Sequence, residues 1–530
     1  MKKLNLQSEY SNNGGFVQLC LPIETEIFIP VDHSVRLLDQ VLEALDYSAL
    51  YRSYSSQGRN PVVSPKHLFK VMVYAYSQGI WSTRKIEEAC RLNLAFKYLL
   101  RGEKCPDHNT LYRFRKYRLQ DCVEGLFTQL IELLSDQEEI PFENVFVDGT
   151  KIEANANRYS FVWRKAVSKH AQKLQEKARV FLEERHLLPT VPDVLESKDL
   201  RNVLHQLEQR SIREGMEWVS GRGHHKSLLQ RDIETLQDLY TRQKKYETYT
   251  QLFRNRNSFS KTDPDATFMH LKEDHMRNGQ LKPAYNVQVA VESEYIVGMD
   301  VSCERNDLYT LKPFLNRMAS HYGRRFQNVV CDAGYESEEN YRFIEEEGIT
   351  PYIKPSNYAY SKTRKYQRDM AFRLSMQYNA ETDSYQCKAG RTLKFDGIQK
   401  RKSKSGFVSE SKIYTCECCD GCPHLGHCYK GKYRKQIVVS ERFDRYREQS
   451  RQNICSEKGI QLRVNRSIQA EGAFALLKWD YGFRRFLTRG EINVRTECLL
   501  LAFGYNLNKL HHRIQRRRLG QALFPVKKLA

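Results

Sequence analysis

No apolar run in this 530-residue chain approaches the length needed to cross a bilayer; CLLLAFGY, from Cys498 to Tyr505, stops well short. The opening MKKLNLQSEYSNNGG has two lysines but no apolar stretch of the kind a secretory signal carries, so the chain is expected to stay in the cytoplasm. Tandem repeats at a solenoid period and long low-complexity tracts are missing too, which excludes a repeat array. The cysteines are not spaced as a disulfide framework. Of 14, five crowd into CECCDGC and Cys428, a pattern that in a reducing compartment points to a local metal site. Acids are outnumbered by bases, 64 to 85, leaving a formal charge of +21 and an isoelectric point near 9.3. Such an excess calls for a polyanionic partner, nucleic acid before an anionic membrane. The 31 tyrosines favour nucleic acid, because Tyr, Phe and Arg stack on bases while Lys and Arg pair with phosphates.

A chain of this length can hold several domains or one core with large insertions. Residues 1–60 read as a mixed lead-in with a helix in VRLLDQVLEALD, and residues 61–140 as a compact helical domain. SPKHLFKVMVYAYSQG starts with Ser and Pro, good cap and first-turn residues, and stops at Gly79. STRKIEEACRLNLAFKYLL follows as a second helix with Ser82 as its cap. CPDHNTLYRFRKYRL then turns into a helix carrying Arg113, Arg115, Lys116 and Arg118. Two helices, a tight turn and a basic final helix fit a helix-turn-helix DNA reader; an ordinary bundle with a solvated basic face fits the same residues.

PFENVFVDGTKIEANANRY changes the period: a short strand, Asn144 to Val147, runs into a polar loop. Residues 165–258 return to helical spacing, with faces at Val167, Ala171, Leu174, Ala178 and Phe181 and at Leu229, Ile233, Leu236 and Tyr240, separated by the flexible basic loop GRGHHKS. Two alternating runs in AYNVQVAVESEYIVGMDVSCERND meet at a turn near Ser293 and Glu294. Helix LKPFLNRMASHYG, strand FQNVVCDAGY, helix SEENYRFIEEEG and strand ITPYIKP complete the pattern. With the helical insertion set aside, a three-stranded meander followed by helix-connected parallel strands matches a ribonuclease H-like mixed α/β core, split between residues 141–164 and 259–357. A Cys-rich insertion spans 358–440, further helices span 441–515, and a basic tail closes the chain at 516–530.

Asp148 follows NVFV directly and Asp332 follows NVVC in the same way. In such a core those two strands are neighbours, so the carboxylates converge on one edge and supply hard oxygen ligands for Mg²⁺. A third acid should come from a later helix. Glu471 qualifies, with Lys478 seven residues on, two turns along the same face, and Arg484 and Arg485 beyond. Three acids holding two metal ions suit in-line phosphodiester displacement, while Lys478, Arg484 and Arg485 can grip the DNA backbone. Among competing acids, Asp300 and Asp307 flank the end of the second hairpin. Asp307 is expected to cap the helix that follows, and Asp480 faces away from Glu471. In the cysteine cluster, Cys419, Cys422 and Cys428 with Cys387 can supply four thiolates for a structural Zn²⁺. Cys416 and Cys418 compete, and His424 and His427 can substitute.

VDGTKIEANAN, VVCDAGYESEENY and EGAFALLKWDYGFRRF resemble the three catalytic blocks of bacterial insertion-sequence DDE transposases, and the Glu-x6-Lys step is similar to that family's signature. SPKHLFKVMVYAYSQG with STRKIEEA resembles the N-terminal helical domain of InsH-like transposases. Many such relatives carry Tyr-x2-Arg-x3-Glu before the catalytic Glu; here Ser467 stands four residues before Glu471, Arg466 is displaced by one, and Val464 occupies the Tyr position. The resemblance implies catalytic acids at Asp148, Asp332 and Glu471 and two Mg²⁺ or Mn²⁺ ions. It further implies cleavage at terminal inverted repeats, joining of the freed ends to target DNA, and a homodimer on the DNA, associated with the nucleoid. A non-catalytic DNA-binding regulator of the same descent, and a nuclease without strand transfer, are the alternatives.

Overall fold

In the computed structural model, which describes residues 28–54, 61–221, 225–271, 279–368, 373, 376–429, 431 and 434–525, the apolar run NVFV opens a ten-residue strand, β1 (Asn144–Glu153). Most of the lead-in, the centre of the GRGHHKS loop and the end of the basic tail lie outside the described residues. Five further strands join β1 in one mixed sheet: β2 (Thr267–Met269), β3 (Lys282–Glu292), β4 (Tyr295–Ser302), β5 (Asn328–Cys331) and β6 (Thr350–Ile353). Their order is β4–β3–β1–β5–β6, with β2 sharing the outer edge of β3 beside β4. β1, β3 and β4 are antiparallel, while β5 and β6 run parallel to β1. β3 turns into β4 through Ser293 and Glu294, both at positive φ (53° and 69°), the mirror-image turn that matches strand twist. Parallel strands need crossovers, which the helices Leu311–Tyr322 and Glu338–Glu346 provide.

One expectation needs correcting. Asp148 does not terminate its strand: β1 continues along β3 to Glu153, and only its parallel pairing with β5 stops, at Phe146. The apparent polar loop is strand because β3 supplies a partner for every residue from Phe146 to Glu153.

Among the described residues, six helices precede β1: Ser34–Glu43, Pro65–Ser77, Thr83–Leu92, Leu94–Leu100, His108–Arg113 and Val123–Asp136, with a five-residue helix at Ser48–Arg52 besides. Pro65 takes the first helical position and Gly79 (φ 70°) ends that turn, but neither Ser64 nor Ser82 makes a side-chain cap bond. The expected single helix over STRKIEEACRLNLAFKYLL breaks at Asn93, whose Oδ1 accepts the Ala95 N–H at 2.8 Å and starts a new helix. The CLLLAFGY run lies in the 25-residue helix Glu491–Gln515, buried between Pro65–Ser77 and β4. No described helix is long and apolar enough to cross a membrane.

Residues 164–253 form three helices, Arg164–Glu184, Ser197–Arg213 and Leu228–Phe253, with a core of their own around Leu174, Leu204 and Leu236. A two-stranded ribbon, Phe161–Trp163 with Ser258–Ser260, roots them. The Cys-rich segment is a second, antiparallel sheet: β7 (Gln377–Asn379), β8 (Ser384–Gln386), β9 (Thr392–Lys402), β10 (Val408–Cys416) and β11 (Gln436–Val439), in chain order across the sheet.

Candidate active site

β1 and β5 pair with Phe146 opposite Val330. Two residues further along each chain stand Asp148 and Asp332, so the parallel register carries both acids to the same level. Asp148 Oδ1 accepts the Gly149 N–H at 2.9 Å, and Asp332 caps a short turn by accepting from Gly334 N at 2.8 Å.

Alternation puts Phe146, Asp148 and Thr150 on one face of β1. That face is covered by the helices following the Cys-rich sheet. Phe146 packs with Ile454, Leu462 and Ala470, and Thr150 Oγ1 accepts from Lys478 Nζ at 2.5 Å. Asp148 sits between these anchors, and there Arg466 meets it, Nη1 to Oδ2 at 3.6 Å, while its Nη2 reaches Glu471 Oε1 at 2.8 Å. The helix carrying Glu471 is pinned by two buried amides. Gln469 accepts from Glu294 N and donates to Ala522 O and Asn465 Oδ1, and Asn465 exchanges bonds with the backbone of Phe524.

Arg466 lies five residues before Glu471, where an α-helix would offer position four. The segment Ser467–Glu471 is a π turn, closing on the fifth residue instead of the fourth, so the displaced arginine faces the acid. A second π turn, Leu476–Asp480, carries Lys478. Single-turn π segments are not legible from residue types, which is why Arg466 has no assigned role on sequence grounds. The mismatch between Arg-x4-Glu here and Arg-x3-Glu in relatives was the available signal.

Burial pushes the Asp148 carboxyl up to about 6; Arg466 opposes the rise, and the negative charges of Asp332 and Glu471 add to it. Asp148 therefore feels the charge of both other acids. Among the described residues, however, no group of three or more His, Cys, Asp or Glu side chains already stands in an arrangement that holds a metal ion. This covers the cysteines as well. Burial raises the Cys428 thiol, with Lys435 opposing and Cys387, Cys419 and Cys422 contributing, so the four lie near one another without forming a closed tetrahedral set. Cys419 Sγ instead accepts the Lys435 N–H at 3.4 Å.

Asp307 is not the side-chain cap that its position suggests; Thr310 precedes the helix Leu311–Tyr322. Its Oδ1 accepts from Asn286 Nδ2 at 2.7 Å and Gln288 Nε2 at 3.1 Å, on the face of β1 opposite Asp148. Gly149 leaves the room: a Cβ there would stand 2.7 Å from that oxygen. Asp300 is tied to Arg495 at 3.1 Å, and Asp480 is exposed.

The basic residues divide. Arg113 is exposed, and Lys116 lies over the rings of Tyr112 and Tyr117. Arg115 departs from the expected DNA-facing role: it is 4% exposed, donating to Tyr76 Oη at 3.0 Å and Trp81 O at 3.3 Å. Beyond Arg113 the helix continues as a π turn, Phe114–Arg118, which directs Arg115 inward and Arg118 to Ser53 O and the Tyr54 ring. Lys478 is buried, whereas Arg484 and Arg485 are exposed, Arg484 over the Trp479 ring and Arg485 donating to Ala154 O.

Comparison with known proteins agrees at both ends of the chain. A transposase DDE domain family matches residues 386–511, which include Glu471, Arg466 and Lys478, and a transposase domain family (DUF772) matches residues 23–117. No curated protein and no solved structure matches the chain. Two transposase families thus match this chain, one on the helices ahead of the sheet and one on the helices that cover Asp148, and together they support an insertion-sequence DDE transposase.

Proposed function

We propose that this chain binds the terminal inverted repeats of its element, cuts the element ends, and joins them to target DNA, with Asp148, Asp332 and Glu471 as the catalytic carboxylates on a ribonuclease H-like core. The observation that carries the reading is the register of β1 and β5, which brings Asp148 level with Asp332 on the face where Arg466 links Asp148 to Glu471. The donor set is all carboxylate oxygen, which fits Mg²⁺ or Mn²⁺. A pair of such ions held by the three acids would stabilise charge on the attacking and leaving oxygens of an in-line displacement.

The chain's own groups do the rest. Lys478, held on Thr150 beside Asp148, fixes a positive charge at the floor of the site, and Arg484 and Arg485 extend it outward along a DNA backbone. In the first step a water oxygen attacks the phosphorus at the element end and the 3′-oxygen leaves as a hydroxyl. In the second that hydroxyl attacks a target phosphodiester, whose own 3′-oxygen leaves. Two ends must be held together, so the active species is a homodimer on DNA, and the repeat is contacted from the N-terminal helices through Arg113 and Lys116. A structural Zn²⁺ on Cys387, Cys419, Cys422 and Cys428 would have to draw the four sulfurs together, their protons being released as it bound.

The test is cleavage of duplexes carrying the element's flanking repeats, with and without Mg²⁺. Wild type should yield nicked ends and joined products; D148N, D332N and E471Q should bind the repeats yet release neither. Cleavage that survives any of these three substitutions overturns the assignment, and nicks without joined products reduce the enzyme to a nuclease.

A further inference from the structure

Arg466 occupies the position between the carboxylates that the proposed ions would share. It is bonded to Glu471 at 2.8 Å and stands 3.6 Å from Asp148, with its side chain 18% exposed. The π turn Ser467–Glu471 is what brings it there, since in uninterrupted α-helix a residue five before Glu471 would be rotated off its face. Oδ2 of Asp148 and Oε1 of Glu471 both turn toward the guanidinium. A guanidinium lying between the two carboxylates fills the space a shared divalent cation would take and sets like charge beside it, so one is displaced when the other arrives.

We propose that Arg466 is a stand-in cation: it holds Asp148 and Glu471 together in the metal-free chain and, when divalent ions load, is released to a phosphate of the bound DNA. This rests on the reading of the three acids as a metal site. Without a counter-charge, the clustered carboxylates would repel and Glu471, half exposed at the end of a π turn, would have nothing to orient it. Once displaced, the arginine presents a planar set of donors beside the reacting centre, suited to two oxygens of one phosphate. DNA draws Arg466 away from the acids and metal pushes it off them, so each ligand strengthens the other's binding, and linkage makes the effect reciprocal.

The probe is Mn²⁺ binding to the full-length protein without DNA, measured by calorimetry, alongside repeat-DNA affinity with and without Ca²⁺, for wild type, R466Q, R466K and D148N. R466Q removes the competitor and should bind Mn²⁺ tighter without DNA. The Ca²⁺-dependent gain in DNA affinity, expected between about 5-fold and about 150-fold in wild type, should shrink toward none. R466K keeps the charge but cannot bridge both acids, and should fall between the two. D148N should lose Mn²⁺ binding. If D148N loses it while R466Q binds Mn²⁺ no tighter than wild type, the stand-in role is overturned and the metal site survives. If D148N binds as wild type does, the metal site itself is overturned and Arg466 with it.

Discussion

The helices before β1 and the three helices of residues 164–253 look alike in sequence, both amphipathic and both rich in bases, yet they are joined to the sheet in opposite ways. The N-terminal helices have no separate core. Phe69 packs edge-on against Phe503 of the last helix, Phe127 does the same, and one continuous set of buried side chains runs from Ile29 to Leu510 through the sheet. The insertion instead closes on itself and meets the rest through a ribbon and a small cluster of Val162, Val167, Phe253 and Phe259. The first arrangement makes the helical segment a wall of the candidate site. Arg115 supplies positive charge to Glu497 on the last helix, and Glu497 holds Leu487 N, Thr488 N and the Thr488 hydroxyl, fixing the loop that bears Arg484 and Arg485.

The largest effect should come from breaking that wall. Phe69→Ala should cost about 3–5 kcal/mol, the usual toll of emptying an aromatic core position, and unfold the sheet with the helices in one transition. Gly504→Val should be worse, because even a Cβ would stand 2.7 Å from Ser77 N, and backbone cannot step aside. The same kind of lesion inside the insertion, Leu236→Ala, should leave hydrogen-exchange protection in β1 and β3 intact. Protection lost there in Leu236→Ala would erase the distinction.

Next in size is the pair Arg115 and Arg113. Arg115→Ala removes the buried donor to Tyr76 Oη and Trp81 O together with the positive charge nearest buried Glu497, and should destabilise by about 3 kcal/mol, lowering affinity for all DNA alike through loss of folded protein. Arg113→Ala should change stability by less than about 0.5 kcal/mol. It should reduce preference for the repeat over random DNA by about 1–3 kcal/mol if the exposed side chain reads a base. Thermal melts and binding isotherms on the two DNAs separate the outcomes; equal losses of both affinities in Arg113→Ala would leave that helix a mere electrostatic face.

How far the residues alone reach follows the same divide. The strand order was legible because the apolar runs at Asn144–Val147, Ala284–Val291, Tyr295–Val301 and Asn328–Cys331 are buried strands whose period shows directly, and with them came the levels of Asp148 and Asp332. The helical insertion was legible for the same reason, as its apolar faces close on each other. What was hidden depends on contacts far along the chain or on an inserted residue in a helix. β1 extends past Asp148 only because β3 pairs with it. Arg115 turns inward, and Arg466 turns to Glu471, only because π turns rephase their helices. Asp307 reads as a cap because capping depends on local sequence, whereas its partners Asn286 and Gln288 lie 21 and 19 residues earlier in β3.

Smaller still is the strain stored at the site, which belongs to the welded half. In the metal-free chain the Asp148 carboxyl sits at about 6 against an ordinary 3.8. A folded-state value above the unfolded one means ionisation opposes folding. The cost is absent below pH 4, grows between pH 4 and 6, and is constant above that. At roughly 1.4 kcal/mol per unit it amounts to about 2–3 kcal/mol, reduced somewhat by the remaining exposure. Asp148→Asn should therefore raise the melting temperature at pH 7.5 in the presence of a chelator and lose that advantage at pH 4. An equal gain at both pH values would assign it to packing instead of charge.

The smallest effect is expected from removing the insertion altogether. The antiparallel ribbon places Trp163 opposite Ser258, and Arg164 N donates to Asn257 O at 3.0 Å, so the two ends of the insertion are already side by side. Arg164 also lies over the Phe253 ring, 5.3 Å from its centre, and Phe253 packs on Phe259. Cutting residues 165–252 and joining Arg164 to Phe253 through a short Gly-Ser turn keeps these contacts, loses Val167, Leu252 and the Tyr249 ring that also pack on this small cluster, and deletes a core that the sheet does not share. Stability of the remainder should move by only about 1 kcal/mol, because closing so short a gap costs little chain entropy and the packing lost is confined to Phe259 and its neighbours in the ribbon, leaving the six-stranded sheet covered. The readout is the melting temperature of the deletion variant beside the protection of β1 and β3. Should the variant lose protection in β1, the ribbon would be transmitting stability from the bundle to the strand that carries Asp148, and the insertion would belong to the wall and not to its outside.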